Sequence, residues 1–123
     1  MYLIDSWVWV EYFSRPSIEV VDIINGKEMN YTSIISLTEV VTSITRNKSV
    51  TEGRLAATKL MGVSHILPIT SNIAIRAGQY NKKEFPGGIA DRIIYATAEA
   101  HGLTICTGDM DFKNLSGVMY IGK

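Results

Sequence analysis

Ile89–His101 restricts the fold more than any other segment. It is apolar almost all round and rich in alanine, which predicts a helix buried and packed close to its neighbours. Gly102 supplies its stop, and the apolar run Leu103-Thr104-Ile105-Cys106 follows as a predicted strand. Gly87-Gly88 leads into the helix; the pair is too short for a dinucleotide fingerprint and suits close entry of the backbone instead. After the strand comes a turn with two acids, Thr107-Gly108-Asp109-Met110-Asp111-Phe112. A buried helix feeding a short apolar strand belongs in a layered α/β structure.

The rest of the chain continues that alternation. Met1–Ile4 is a short apolar run ended by Asp5-Ser6, suited to the middle of a parallel sheet covered on both faces. Helices are predicted over Trp7–Phe13, stopped by Pro16, and over Ile18–Ile24, closed by Asn25-Gly26. Ser33–Arg46 reads as a helix with an apolar stripe of Ile34, Leu37, Val41 and Ile44, and Glu39 lies off that stripe towards Ile35 and Ser36. Further helices are expected over Thr51–Met61 and Thr70–Lys82, and further strands at Glu28–Thr32, His65–Pro68 and Val118–Ile121. Asn81 to Gly88 is the longest loop signal. The expected fold is three-layer α/β/α, with a mainly parallel central sheet of about five short strands, in a single domain over residues 1–123.

Composition narrows the function. With 46% hydrophobic and 20% charged residues, the chain is neither a disordered tail nor a coiled coil. Lys plus Arg equals Asp plus Glu at 12 each, so bulk charge advertises no nucleic acid, and such a partner needs a local basic patch. The single cysteine, Cys106, can form no internal disulfide, which suits a reducing cytoplasm. No apolar run approaches the ~20 residues that span a bilayer, and no basic leader precedes one. A cytoplasmic protein without a membrane partner is expected.

Acids are placed to converge. Sites in open α/β sheets form beyond the carboxyl ends of the strands. Asp5 ends the first strand, and Asp109 and Asp111 follow the fourth. Asp91 opens the helix that feeds the fourth strand, on the face of Ile94, Tyr95 and Ala98, where a carboxylate needs a partner. Glu39 comes from the helix after the second strand. Crowded carboxylates raise one another's pKa unless a cation neutralises them. Oxygen ligands without Cys or His clusters favour Mg²⁺ or Mn²⁺ over zinc. Such an ion keeps waters, one of which can attack a phosphodiester, so phosphoryl-transfer hydrolysis fits better than acyl chemistry.

Each acid taken alone has a plainer use. Asp5 would serve as a helix cap, Glu39 as a solvated helix residue, Asp91 as a first-turn charge, and Asp109 with Asp111 as an Asx turn. The ordered set carries the weight. His65 and His101 lack ligand spacing, and neither a nucleophile elbow nor a Walker A sequence occurs. Arg46, Lys48, Arg54 and Arg92 are candidates for a phosphate path, against a default of solvated surface charge. Trp7, Trp9 and Tyr12 are assigned to core or dimer contacts ahead of base stacking.

Four marks, in order, resemble the PIN-domain ribonucleases, and among them the VapC-like toxins of bacterial and archaeal toxin–antitoxin pairs. They are the apolar strand into Asp5-Ser6, then Ser33-Ile34-Ile35-Ser36-Leu37-Thr38-Glu39, then Ala90-Asp91-Arg92-Ile93-Ile94-Tyr95-Ala96-Thr97-Ala98, then Thr107-Gly108-Asp109-Met110-Asp111-Phe112. Their order and approximate spacing agree over essentially the full length. The resemblance implies a metal-dependent endoribonuclease with Asp5, Glu39, Asp91 and Asp109 as catalytic acids. It implies one or two Mg²⁺ or Mn²⁺ ions on Asp5, Asp91 and Asp109, with Asp111 as a further candidate and Asp109 preferred of the two. Ser6 and Thr107 match positions that support the first and last acids by hydrogen bonding. An RNA substrate, a cognate antitoxin whose peptide blocks the site, and a homodimer are implied as well. Trp7 departs from the pattern, standing where a smaller residue is common, and so alters the expected pocket shape. Two other readings share the architecture. A PIN-like interaction module with weak or no cleavage would bind no Mn²⁺, and a phospho-acceptor receiver would need a lysine ending a late strand, where this chain has acids.

Overall fold

A computed structural model describes residues 1–122 of the chain. The short apolar runs form β1 (Tyr2–Ile4), β2 (Asn30–Ser33), β3 (His65–Leu67), β4 (Thr104–Thr107) and β5 (Val118–Tyr120). All pair in parallel, in the order β3-β2-β1-β4-β5. The chain starts in the middle, builds outward through β2 and β3, then returns to the other side of β1 for β4 and β5. That reversal leaves a crevice at the carboxyl ends of β1 and β4, where open α/β sheets bind ligands.

Alternation along the strands sorts the core into two layers. Leu3 and Ile105 pack with Ile73, Phe85 and Ile94, beneath α5 (Ser71–Gln79) and α6 (Ile89–His101). Ile4 and Cys106 pack with Val8, Val20, Val40 and Leu60, beneath α1 (Ser6–Ser14), α2 (Ile18–Ile24), α3 (Ile34–Asn47) and α4 (Val50–Val63). The three-layer α/β/α fold expected from the alternating pattern is the one observed, with a sheet that is parallel throughout.

Local chemistry sets the helix ends. Ser33, Ser49 and Thr70 each accept an amide hydrogen bond at the start of α3, α4 and α5, a cap worth about 1 kcal/mol. Gly102 ends α6 in the left-handed region at φ 63°, where a side chain would be strained.

Several boundaries and faces differ from expectation. The second strand begins at Asn30 rather than Glu28, and the helix after Thr70 stops at Gln79 because Tyr80 turns to extended backbone. The inward face of α3 is Ser36, Val40 and Ile44, while Ile34 is exposed. The predicted stripe is thus rotated. α3 leaves β2 directly from Ser33, so the sheet rather than the apolar count fixes its roll, and that roll carries Glu39 towards the crevice. In α6 only the middle is buried, at Ile94, Ala96, Thr97 and Ala98. Ile89 is 79% exposed because the first turn projects past the sheet. Among the described residues no helix is long and apolar enough to cross a membrane.

Candidate metal centre

The crevice is built from the ends of four elements. Asp5 follows β1 directly, its amide donating to Cys106 O on β4 at 3.0 Å. It occupies the cap position of α1, yet its side chain makes no cap hydrogen bond. Instead Asp5 Oδ2 accepts from Thr107 Oγ1 at 2.7 Å, across the β1–β4 seam. Thr107 Oγ1 in turn accepts from the Asp109 amide at 3.0 Å. One hydroxyl therefore contacts both the first acid and the loop of the last. Ser6 acts on Asp5 through its backbone amide, while its hydroxyl lies by Glu39. The reason is positional: Ser6 is the first residue of α1, so its side chain turns away from Asp5 towards α3.

Asp91, Asp109 and Asp111 each offer a carboxylate oxygen, and these lie within 4.8 Å of one another. The Asx turn anticipated for the acidic loop is present, with the Asp111 amide donating to Asp109 Oδ1 at 2.9 Å. The turn and the acidic cluster coexist, because the turn engages a single Asp109 oxygen. Asp5, Glu39, Asp91 and Asp109 line one cavity of about 280 Å³. Its other walls include Ser6 and Trp7, both expected near the site, together with Val10, Glu11 and Ser43, which the sequence motifs do not mark. Ser43 lies one helical turn beyond Glu39, a spacing that could have marked it.

Among the described residues no Lys, Arg or His lines this cavity. Burial, followed by the charges of Glu39 and Asp109, pushes the Asp5 carboxyl up to about 6, against the pull of the Thr107 hydroxyl and the Ser6 amide. Burial and then the charges of Asp109, Asp5 and Asp111 push Asp91 up to about 6. Glu39 is raised chiefly by burial, with the charges of Asp91 and Asp109 adding to it and the Ser6 hydroxyl opposing. Asp5 Oδ1 and Glu39 Oε1 are buried without a hydrogen-bond partner. Buried acceptors are seldom left unpaired, and two of them in a wall of carboxylates fit a bound cation. The donors are all oxygen, which suits Mg²⁺ or Mn²⁺. Cys106 is no competing ligand, since burial pushes its thiol up to about 12.

The basic candidates are placed elsewhere. Arg92 donates to the carbonyls of Gly87 at 3.1 Å, Tyr80 at 3.0 Å and Phe85 at 3.5 Å, so its guanidinium ties down the loop instead of presenting itself to a phosphate. Sequence alone could not foresee this, because the carbonyls belong to a loop without secondary structure. Lys48 donates to Phe13 O at 3.1 Å. Arg46 and Arg54 are exposed. His65 packs at a tilt against Tyr31, with ring centroids 5.3 Å apart, and His101 is exposed at the end of α6; neither lines the acidic cavity. Of the glycine pair, only Gly87 needs to be small. A Cβ there would collide with the Phe85 ring and come within 3.1 Å of Asp91 Oδ2, whereas Gly88 has open space.

The family model of the PIN domain matches residues 2–118. The chain belongs to the PIN domain family. No curated protein matches it in sequence. Among solved structures, the PIN domain superposes on a chain of a toxin–antitoxin complex from Klebsiella pneumoniae with a TM-score of 0.78, at 26% identity over 97% of this chain and 96% of the other. FitAcB from Neisseria gonorrhoeae gives a TM-score of 0.74 at 25% identity, over 90% and 89% of the two chains. The sarcin–ricin loop cleaving toxin VapC20 of Mycobacterium tuberculosis gives 0.81 at 16% identity, with both chains covered completely at 100%. These neighbours agree with the VapC-like resemblance carried by the four sequence marks.

Proposed function

We propose that this PIN domain is a divalent-metal-dependent endoribonuclease and the toxin of a toxin–antitoxin pair. The observation that carries the reading is the pair of buried oxygens, Asp5 Oδ1 and Glu39 Oε1, that have no partner among the described residues, in a wall that gathers four carboxylates. Asp5, Asp91 and Asp109 would hold Mg²⁺ or Mn²⁺, with Asp111 close enough to share it. When bound, such an ion would supply charge neutralisation at a phosphate and a water acidic enough to serve as nucleophile at neutral pH. Thr107 holds Asp5 in place, and Glu39 orients water beside the reacting phosphate. Exposed Arg46 near the end of α3 and exposed Arg54 on α4 serve RNA phosphates, which makes RNA affinity fall with salt.

Toxin identity is supported by the Klebsiella and Neisseria neighbours, at 26% and 25% identity. The reading includes a single catalytic domain over residues 1–123, cytoplasmic location, a homodimer, and a cognate antitoxin whose peptide covers the acidic cavity. The test is Asp91→Asn. We expect far-UV circular dichroism to match wild type, cleavage of single-stranded or looped RNA to fall at least a hundredfold, and calorimetric Mn²⁺ binding to weaken. Full activity from that variant, or no Mn²⁺ binding by wild type at millimolar metal, would sink the assignment and favour an interaction module.

A further inference from the structure

We propose that Met1, Met29 and His65 form a second metal site, selective for Cu(I), at the end of the sheet opposite the acidic crevice. It stands independently of the ribonuclease reading. Parallel pairing sets registered residues side by side, with their side chains on one face of the sheet. Tyr2 is in register with Asn30, and Tyr31 with His65. One step back from the first pair, Met1 and Met29 are neighbours. Their carbonyls are engaged in the sheet, Met1 O accepting from the Thr104 amide at 3.2 Å and Met29 O from the Tyr2 amide at 3.3 Å. Met29 and Tyr31, two residues apart, share a face. Strand register thus carries Met1, Met29, Tyr31 and His65 into one patch at the amino ends of β1, β2 and β3.

Side-chain contacts bring the donors together. The Tyr31 hydroxyl lies 3.2 Å from Met29 Sδ and 3.7 Å from Met1 Sδ, so both sulfurs converge on one point. Thioethers are weak acceptors, and this hydroxyl is exposed, so water would serve it as well. The His65 ring packs beside the same tyrosine, with centroids 5.3 Å apart. His65 and Met29 also line a common cavity of about 330 Å³, with Met61 as a further thioether in its wall. Met1 is 61% exposed, Met29 49% exposed, and His65 exposed, so an ion from solvent reaches them by side-chain rotation alone.

Donor type names the ion. Two thioethers and an imidazole form a soft set that selects Cu(I), whereas the oxygens of the acidic cavity suit Mg²⁺ or Mn²⁺. Cys106, a softer donor still, is buried and does not compete. Spacing along the chain gives no sign of the set, because only the pairing of β1, β2 and β3 makes its members neighbours. The three ligands come from three adjacent strands, so a bound ion ties the edge strand β3 to the middle of the sheet. An ion that binds the folded chain alone stabilises it. Two methionines against a tyrosine are otherwise an ordinary sulfur–aromatic packing contact.

The test titrates the full chain with Cu(I) alone, without oxygen and against a chromogenic Cu(I) chelator, while NMR follows ¹³C-methyl-labelled methionines. Wild type is expected to compete with the chelator for a single ion. The methyl signals of Met1 and Met29 should shift together and saturate at one equivalent, while that of Met110, 69% exposed and far along the chain, stays in place. The melting temperature should rise with Cu(I), and Mg²⁺ should leave both shifted signals where they began. Met29→Leu preserves volume, and His65→Phe preserves an aromatic ring against Tyr31. Each should weaken Cu(I) binding at least tenfold while keeping the metal-free melting temperature of wild type. Wild-type Cu(I) affinity in both variants, a Met110 signal that moves in parallel with the other two, or no competition with the chelator overturns the inference and leaves a packing contact.

Discussion

Thr107 shows how much one hydroxyl decides. It is fully buried, donates to Asp5 and accepts from the Asp109 amide, joining β1 to the acidic loop. Thr107→Val keeps the shape and removes both bonds. Leaving a buried carboxylate oxygen without its donor costs about 1–3 kcal/mol, and losing the Thr107 hydroxyl raises the Asp5 carboxyl further. We expect a lower melting temperature, weaker Mn²⁺ binding by calorimetry, and an onset of metal binding moved to higher pH, with Thr107→Ser restoring all three. Wild-type metal affinity in Thr107→Val would show that outer-shell positioning is not what Thr107 does. At this scale the sequence was informative about residue type and order. It could not say which oxygen met which hydroxyl, because partners such as Asp5 and Thr107 are adjacent only once β1 and β4 pair.

Among elements, the loop before α6 and the turn after β4 are held together by aromatic rings. Phe85 is fully buried and meets Tyr95 and Phe112 at 5.3 Å each, with Tyr80 at 6.3 Å. Phe112 closes the acidic turn and Tyr95 lies on α6, so this cluster sets the gap between Asp91 and the pair Asp109 and Asp111. Phe85→Ala removes its centre, at about 3–5 kcal/mol for a buried Phe. The expected result is a retained far-UV spectrum, a lower melting temperature and weaker Mn²⁺ binding; unchanged metal affinity would mean that the acids are positioned without the cluster. Helix and strand identities were legible from period and end signals, as at Thr70 and Gly102. The roll of α3 was not, since Ser36 faces inward and Ile34 outward, a choice made by the direction in which β2 delivers the chain.

For the whole molecule, the acid cluster is a stability cost without metal. The carboxyls of Asp5 and Asp91 are raised from 3.8 to about 6 in the folded state. The folded chain thus holds these protons more tightly than the unfolded one, so their stabilising protonation is complete below about pH 4 and lost as pH rises through about 6. Asp5 is the more deeply buried of the two, and its share is about 3 kcal/mol. In EDTA the melting temperature should therefore fall between pH 5 and pH 7.5, and millimolar Mn²⁺ at pH 7.5 should restore it. A melting temperature in EDTA that climbs over that interval, or ignores Mn²⁺, would contradict a repulsive cluster awaiting a cation. By itself the sequence determined the alternation of short strands and helices, the parallel sheet, and the order of the acids along the chain, because apolar period and capping act over a few neighbouring residues. Only the tertiary structure decided that Asp5 and Glu39 each keep a buried oxygen without a partner among the described residues, and that Arg92 serves a loop. Those outcomes depend on which distant atoms the closing of β1 against β4 brings within hydrogen-bond reach.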